Sequence, residues 1–137
     1  KASRLSVWTR GKTAAQKVVF GGDRVFGFRA EYKTPAHVFS ADAAGKVGGK
    51  GDVPKKDRHL PVRCARAMAL TGDVLWAAGR LAADSNREVL RAYSVSDGKQ
   101  LREIPLDAPV VHDGIAAAGN RLYVSCQDGK LYCFGTM

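Results

Sequence analysis

Three segments of this chain repeat one pattern. Gly22-Asp23-Arg24-Val25-Phe26, Gly72-Asp73-Val74-Leu75-Trp76 and Gly119-Asn120-Arg121-Leu122-Tyr123 all read Gly-[Asp/Asn]-x-[Val/Leu]-aromatic. The glycines lie 50 and 47 residues apart. A period of this size in a strand-rich chain is the mark of one supersecondary unit used several times. Gly and Asn/Asp accept the positive φ of a tight turn, so each copy predicts a hairpin.

The repeat extends beyond the turn. Before each glycine runs a short apolar segment: Lys17-Val18-Val19-Phe20, Ala67-Met68-Ala69-Leu70 and Gly114-Ile115-Ala116-Ala117-Ala118. A third strand follows in each copy, at His37-Val38-Phe39, Arg91-Ala92-Tyr93 and Tyr132-Cys133-Phe134. The first two copies then turn again, through Asp42-Ala43-Ala44-Gly45-Lys46 and Ser96-Asp97-Gly98-Lys99. A fourth strand runs outward, shown best by Gln100 to Leu106, and Pro105 makes it an edge strand. The segments Thr13 to Gln16 and Leu81 to Asp84 are too short for independent helices.

These units are four-stranded antiparallel meanders, and radial repetition of such units is the β-propeller. The expected fold class is therefore all-β, a propeller segment of about two full blades and a three-stranded closing blade. The units span roughly residues 15–60, 65–107 and 110–137, with residues 4–10 an outer strand of a preceding blade. Val25, Leu75 and Leu122 are predicted to be buried at equivalent positions. Rings close with about four to eight blades. The chain is thus expected to be the C-terminal portion of a longer propeller, or to assemble with other chains. Its partners would be the remaining blades, and the sheet ending at Phe134 would accept a foreign outer strand.

The turns at 42–46 and 96–99, each after a strand ending in an aromatic, resemble the pyrroloquinoline-quinone-like (PQQ-like) propeller repeat. That repeat carries Ala-x-Asp-x-x-Thr-Gly-Lys at this place. The stretch from Asp113 to Ser125, followed by Asp128-Gly129-Lys130, is similar to the closing blade of such bacterial propellers. Ala44 and Asp97 stand where the family has Thr, and the tryptophan that usually follows is absent. The resemblance implies a bacterial propeller in the periplasm or another extracytoplasmic compartment. In quinoproteins of the family it also implies a vicinal cysteine pair, a stacked tryptophan and calcium. Cys64, Cys126 and Cys133 include no adjacent pair, and Trp76 occupies the repeat's own aromatic slot.

No cofactor, metal or catalytic residue is assigned. The preferred function is a non-catalytic scaffold for protein interaction or assembly, and an enzyme is not favoured. The alternative is the C-terminal part of a quinoprotein-type enzyme whose active residues lie upstream. Residues 1–66 hold 15 Lys/Arg against 5 Asp/Glu, while the rest carries 7 against 8. An acidic partner for the basic half is a second alternative. Nucleic acid is not favoured, because Lys46 to Arg66 lacks the aromatic platforms of single-strand binders. No apolar run approaches the ~18 residues of a membrane span.

Smaller signals receive structural readings. Gly45 to Gly51 lacks P-loop spacing. His37, His59 and His112 are scattered. His112 and Asp113 are adjacent on a strand and are expected to point to opposite faces. A two-residue turn at Asp128-Gly129 would make Cys126 and Cys133 diagonal neighbours on one face, unsuited to a disulfide.

Overall fold

The computed structural model describes residues 8–10, 13–15, 17–21, 24–29, 37–42, 64–80 and 86–135. All secondary structure among them is β. β1 (Trp8–Arg10) pairs with β2 (Thr13–Ala15). β3 (Lys17–Gly21), β4 (Arg24–Arg29) and β5 (His37–Asp42) form a three-stranded meander. β6 (Cys64–Thr71), β7 (Val74–Arg80), β8 (Glu88–Ser94) and β9 (Gln100–Leu106) form a complete four-stranded one. β10 (Val110–Ala118), β11 (Arg121–Cys126) and β12 (Leu131–Gly135) form the last sheet. Every strand pair is antiparallel. The expected fourth strand of the first unit lies outside the described residues. The chain is therefore all-β, built of blade-like antiparallel sheets.

The register shows the repeat directly. The first hairpin of each sheet closes at Gly21↔Arg24, Thr71↔Val74 and Ala118↔Arg121, leaving a two-residue Gly-[Asp/Asn] loop each time. At the third of these, Gly119 and Asn120 sit at φ 55° and 59°, the pair of positive angles that a type I′ turn demands. Val25, Leu75 and Leu122 thereby occupy one structural slot, and their exposures are 1%, 0% and 0%. One alignment within the repeat differs. Val25 pairs with Ala41, whereas Leu75 pairs with Tyr93 and Leu122 with Phe134. Ala41, not Phe39, is thus the register equivalent of the third-strand aromatics. A two-residue offset preserves the face because side chains alternate with period two.

The core lies between sheets, and stacking has a direction. One face of the four-stranded sheet, with Ala65, Leu75, Ala77 and Tyr93, packs with Phe26 and Phe28 of the first sheet. Its other face, with Trp76, Ala78, Leu90 and Ala92, packs with Val110, Leu122, Val124 and Cys126 of the last sheet. These three sheets meet mainly through their first strands, β3 with β6 and β6 with β10. Pro105 lies on the edge strand β9, where the missing N–H breaks no ladder bond on the open side.

A bulge shapes the start of the last sheet. The β10–β11 register shifts between Val110 and Ile115, and Asp113 takes φ 57°. A Cβ on Gly114 would lie 2.9 Å from the Ser125 carbonyl oxygen and 2.5 Å from Val111 Cγ2. The bulge closes over a position that only glycine fills without backbone movement. Gly114→Ala is expected to cost about 1–3 kcal/mol by overpacking. Urea denaturation checks this, and an unchanged midpoint would show that the bulge yields freely.

Candidate functional site

Two turns with the sequence Asp-Gly-Lys build the same local device. Asp97 Oδ1 accepts the Lys99 N–H at 3.1 Å, and Asp128 Oδ1 accepts the Lys130 N–H at 3.1 Å. In both, the lysine Nζ returns to the second carboxylate oxygen at 3.2 Å. The glycine between adopts positive φ, 72° at Gly98 and 85° at Gly129. An Asx turn followed by a left-handed residue explains why this tripeptide stops a strand. The Ser94 hydroxyl, then the Lys99 N–H, hold the Asp97 carboxyl down to about 2 from 3.8. A depressed folded pKa stabilises fully above pH ~4 and is lost as pH falls toward 2. An NMR titration is expected to place Asp97 near the bottom of that window. A midpoint at the ordinary carboxylate value would remove the Ser94 and Lys99 bonds from the account.

The second of these turns separates the two cysteines. Cys126 N–H donates to the Lys130 carbonyl at 2.9 Å, and Gly129 N–H to the Cys126 carbonyl at 3.1 Å. The loop thus holds three residues, not the expected two, and closes with a glycine bulge. One extra residue moves every following side chain to the other face. Cys133 pairs with Tyr123, and Cys126 lies opposite Val110. Cys126 is buried and Cys133 exposed, both as free thiols, so they are not diagonal neighbours. Burial, then the Asp128 and Glu88 charges, push the Cys126 thiol up, which disfavours a nucleophilic thiolate.

His112 and Asp113 do meet, contrary to the expectation for adjacent strand residues. His112 Nδ1 lies 3.1 Å from Asp113 Oδ2. The positive φ of Asp113 breaks the strand alternation that would have kept them apart. Their side chains are 79% and 70% exposed. The pair sits in water, without the enclosure that tunes an acid–base couple.

A polar cluster gathers where the last two sheets meet at their strand ends. The Glu88 side chain is 4% exposed, and Arg66 Nε stands 3.4 Å from its Oε1. Among the described residues neither Glu88 Oε2 nor Arg66 Nε has a hydrogen-bond partner. Nearby, the Tyr132 hydroxyl donates to Asp107 Oδ2 at 3.1 Å, and Lys130 Nζ lies 3.9 Å from the same oxygen. Burial and this acceptor both push the Tyr132 phenol up. On the opposite face, Arg91 Nε donates to Glu103 Oε2 at 2.9 Å and its guanidinium reaches the Tyr93 hydroxyl. No motif in the sequence marks Glu88 or Arg91. The available signal was charge inside the otherwise apolar strand Glu88–Ser94.

Trp76 is a core residue whose indole Nε1 donates to Thr71 Oγ1 at 3.0 Å. Trp8 lies on β1, His37 opens β5 and Cys64 opens β6. His59 and the glycine-rich loop at 45–51 fall outside the described residues. Among the described residues no three His, Cys, Asp or Glu side chains form a metal cluster. No helix among them is long and apolar enough to cross a membrane.

Among the described residues the outer face of the last sheet is left uncovered. Register places Tyr123 in the slot of Trp76, Ser125 in that of Ala78, Leu131 in that of Leu90 and Cys133 in that of Ala92. The four residues of the middle sheet are buried. Their counterparts are half-buried at Tyr123 and Ser125, exposed at Cys133, and 63% exposed at Leu131.

No protein-family model matches this chain. No curated protein matches it either. Among solved structures it is similar to the computationally designed Ika4 protein, known from a crystal structure. The TM-score is 0.60 at 13% identity, over 93% of this chain and 69% of that one. At that identity the likeness concerns the path of the backbone alone.

Proposed function

We propose that the chain is a wall of PQQ-like β-propeller blades that serves as a non-catalytic scaffold for protein interaction or assembly in an extracytoplasmic compartment. The observation that carries this reading is directional stacking. The middle sheet turns its Leu75-type face to the preceding sheet and its Trp76-type face to the following one. The convergence of β3, β6 and β10 supports a radial arrangement, with first strands innermost. The last sheet offers a Trp76-type face with Tyr123, Ser125, Leu131 and Cys133 still accessible. A further blade, from additional sequence or another chain, is the partner this face fits.

The test uses the whole 137-residue chain. It is expected to self-associate or to bind an apolar dye, and Tyr123→Arg should weaken either response. Cys133 alkylation follows the same face and should slow on assembly. A wild-type chain that is monomeric, cooperatively folded and silent to the dye would contradict the scaffold reading. Salt-sensitive retention on heparin would instead favour the acidic partner suggested by the basic half.

A further inference from the structure

Three aspartates among the described residues precede a glycine, at Asp97-Gly98, Asp113-Gly114 and Asp128-Gly129. At such a step a chain can react with itself, because no side chain shields the glycine nitrogen from the aspartate Cγ. The fold treats the three differently. Gly98 N–H donates to the Ser94 carbonyl at 2.9 Å, and Gly129 N–H to the Cys126 carbonyl at 3.1 Å. The Ser94 hydroxyl and the Lys99 N–H hold the Asp97 carboxyl down to about 2, and the Lys130 N–H lowers that of Asp128. In both turns the nitrogen is tied to a carbonyl and the carboxyl is kept ionised, which makes it a poor electrophile. Asp113 lies instead in the shifted stretch of β10 between Val110 and Ile115. Its Oδ2 stands 3.1 Å from His112 Nδ1. Closing an aspartate onto the next nitrogen eclipses that nitrogen with Cβ, at ψ of about −120°, and with positive φ this is the type II′ conformation. Of the three aspartates only Asp113 has positive φ, at 57°.

We infer that Asp113-Gly114 is a site of spontaneous backbone modification, where His112 promotes closure to a succinimide and aspartate becomes isoaspartate. In its imidazolium form His112 hands a proton to Asp113 Oδ2 and neutralises the carboxyl. The Gly114 nitrogen then attacks Asp113 Cγ. The C–O bond breaks, and the hydroxyl leaves as water with the proton that the nitrogen gives up. His112 regains its proton from solvent. Water next adds to the main-chain carbonyl of Asp113 and breaks its bond to Gly114, whose nitrogen stays bonded to Cγ. The old main-chain carbonyl becomes a carboxylate, so the product is an isomer of the starting chain. An exposed pair acts on no free substrate here, because its own backbone is the substrate and is held beside it. The new linkage runs through Cβ and lengthens β10 by one backbone carbon inside its bulge. β10 is the strand through which the last sheet meets β6, so the change falls at the joint between sheets.

The test incubates the whole chain for weeks near neutral pH and then digests it. Electron-transfer fragmentation of the peptides separates isoaspartate from aspartate at each of the three steps. Isoaspartate is expected first at 113, preceded there by a species lighter by one water. His112→Gln, at an exposed position, should slow its appearance roughly tenfold, less than the ~10²–10⁴ of an enclosed acid. In strong urea the preference for 113 should vanish, because all three steps then share one unfolded backbone. First appearance at 97 or 128 in the folded chain would overturn the proposal. So would a preference for 113 that survives in urea, since it would come from neighbouring sequence and not from the fold. An unchanged rate in His112→Gln would remove the imidazole from the step and overturn the assignment as well. Every outcome is read at the modified residue and is independent of the scaffold reading.

Discussion

Replacing Trp76 by alanine is expected to destabilise the chain by about 3–5 kcal/mol, the range for deleting a buried aromatic. Trp76 sits at the centre of the cluster that joins the last two sheets, beside Leu90, Val110, Leu122 and Val124. Its removal opens a cavity among strands that the ladders hold in place, so collapse is limited. It also leaves Thr71 Oγ1 without the indole donor seen at 3.0 Å. A loss of this size is a large fraction of the ~5–15 kcal/mol that holds an ordinary domain together. Equilibrium urea unfolding followed by circular dichroism measures it. Trp76→Phe retains most of the buried area and should cost much less. If both variants cost the same, the cavity is not the cause.

The second large effect concerns the buried carboxylate. Arg66→Ala is expected to cost about 3 kcal/mol, the low end of the range for breaking a buried pair. Glu88 is almost wholly buried between sheets, and Arg66 stands 3.4 Å from it with its own side chain 29% exposed. Removing the guanidinium leaves a carboxylate with one oxygen already unpartnered among the described residues. Changing both residues to apolar ones, Arg66→Met with Glu88→Leu, should restore most of the loss, because desolvation then has no charge to penalise. A double-mutant cycle reads the coupling. Coupling below ~0.5 kcal/mol would show that water, not Arg66, satisfies Glu88.

The repeat was legible because its signals are short-range. A Gly-Asn pair reaches positive φ at both positions without help from distant residues, so the hairpin at 118–121 could be read from four letters. The same holds for Asp-Gly-Lys, whose carboxylate bonds an N–H two residues on wherever the tripeptide occurs. Val25, Leu75 and Leu122 follow from those turns, since a two-residue loop sets the register and the register sets the face.

Other features depended on the count of residues in a loop or on a neighbour far along the chain. Local sequence puts Cys126 and Cys133 on one face, because Asp128-Gly129 reads as a two-residue turn. The bond from Cys126 N–H to the Lys130 carbonyl makes it three, and period-two alternation turned that single residue into opposite faces. His112 and Asp113 meet because Asp113 takes positive φ in the β10 bulge, where a Cβ on Gly114 would collide with the Ser125 carbonyl of the next strand. The burial of Glu88 required the last sheet to close over it.

What the sequence determined by itself was the set of strands, their hairpins and the slots of the repeated core. These follow from backbone angles and alternation, both local. What only the tertiary structure decided was which slots are covered. Leu90 and Leu131 hold the same residue type in the same slot, yet one is fully buried and the other largely exposed. Burial belongs to the pair of surfaces and not to the residue. The sheet that covers Leu90 and the strand that flanks it have no described counterpart around Leu131.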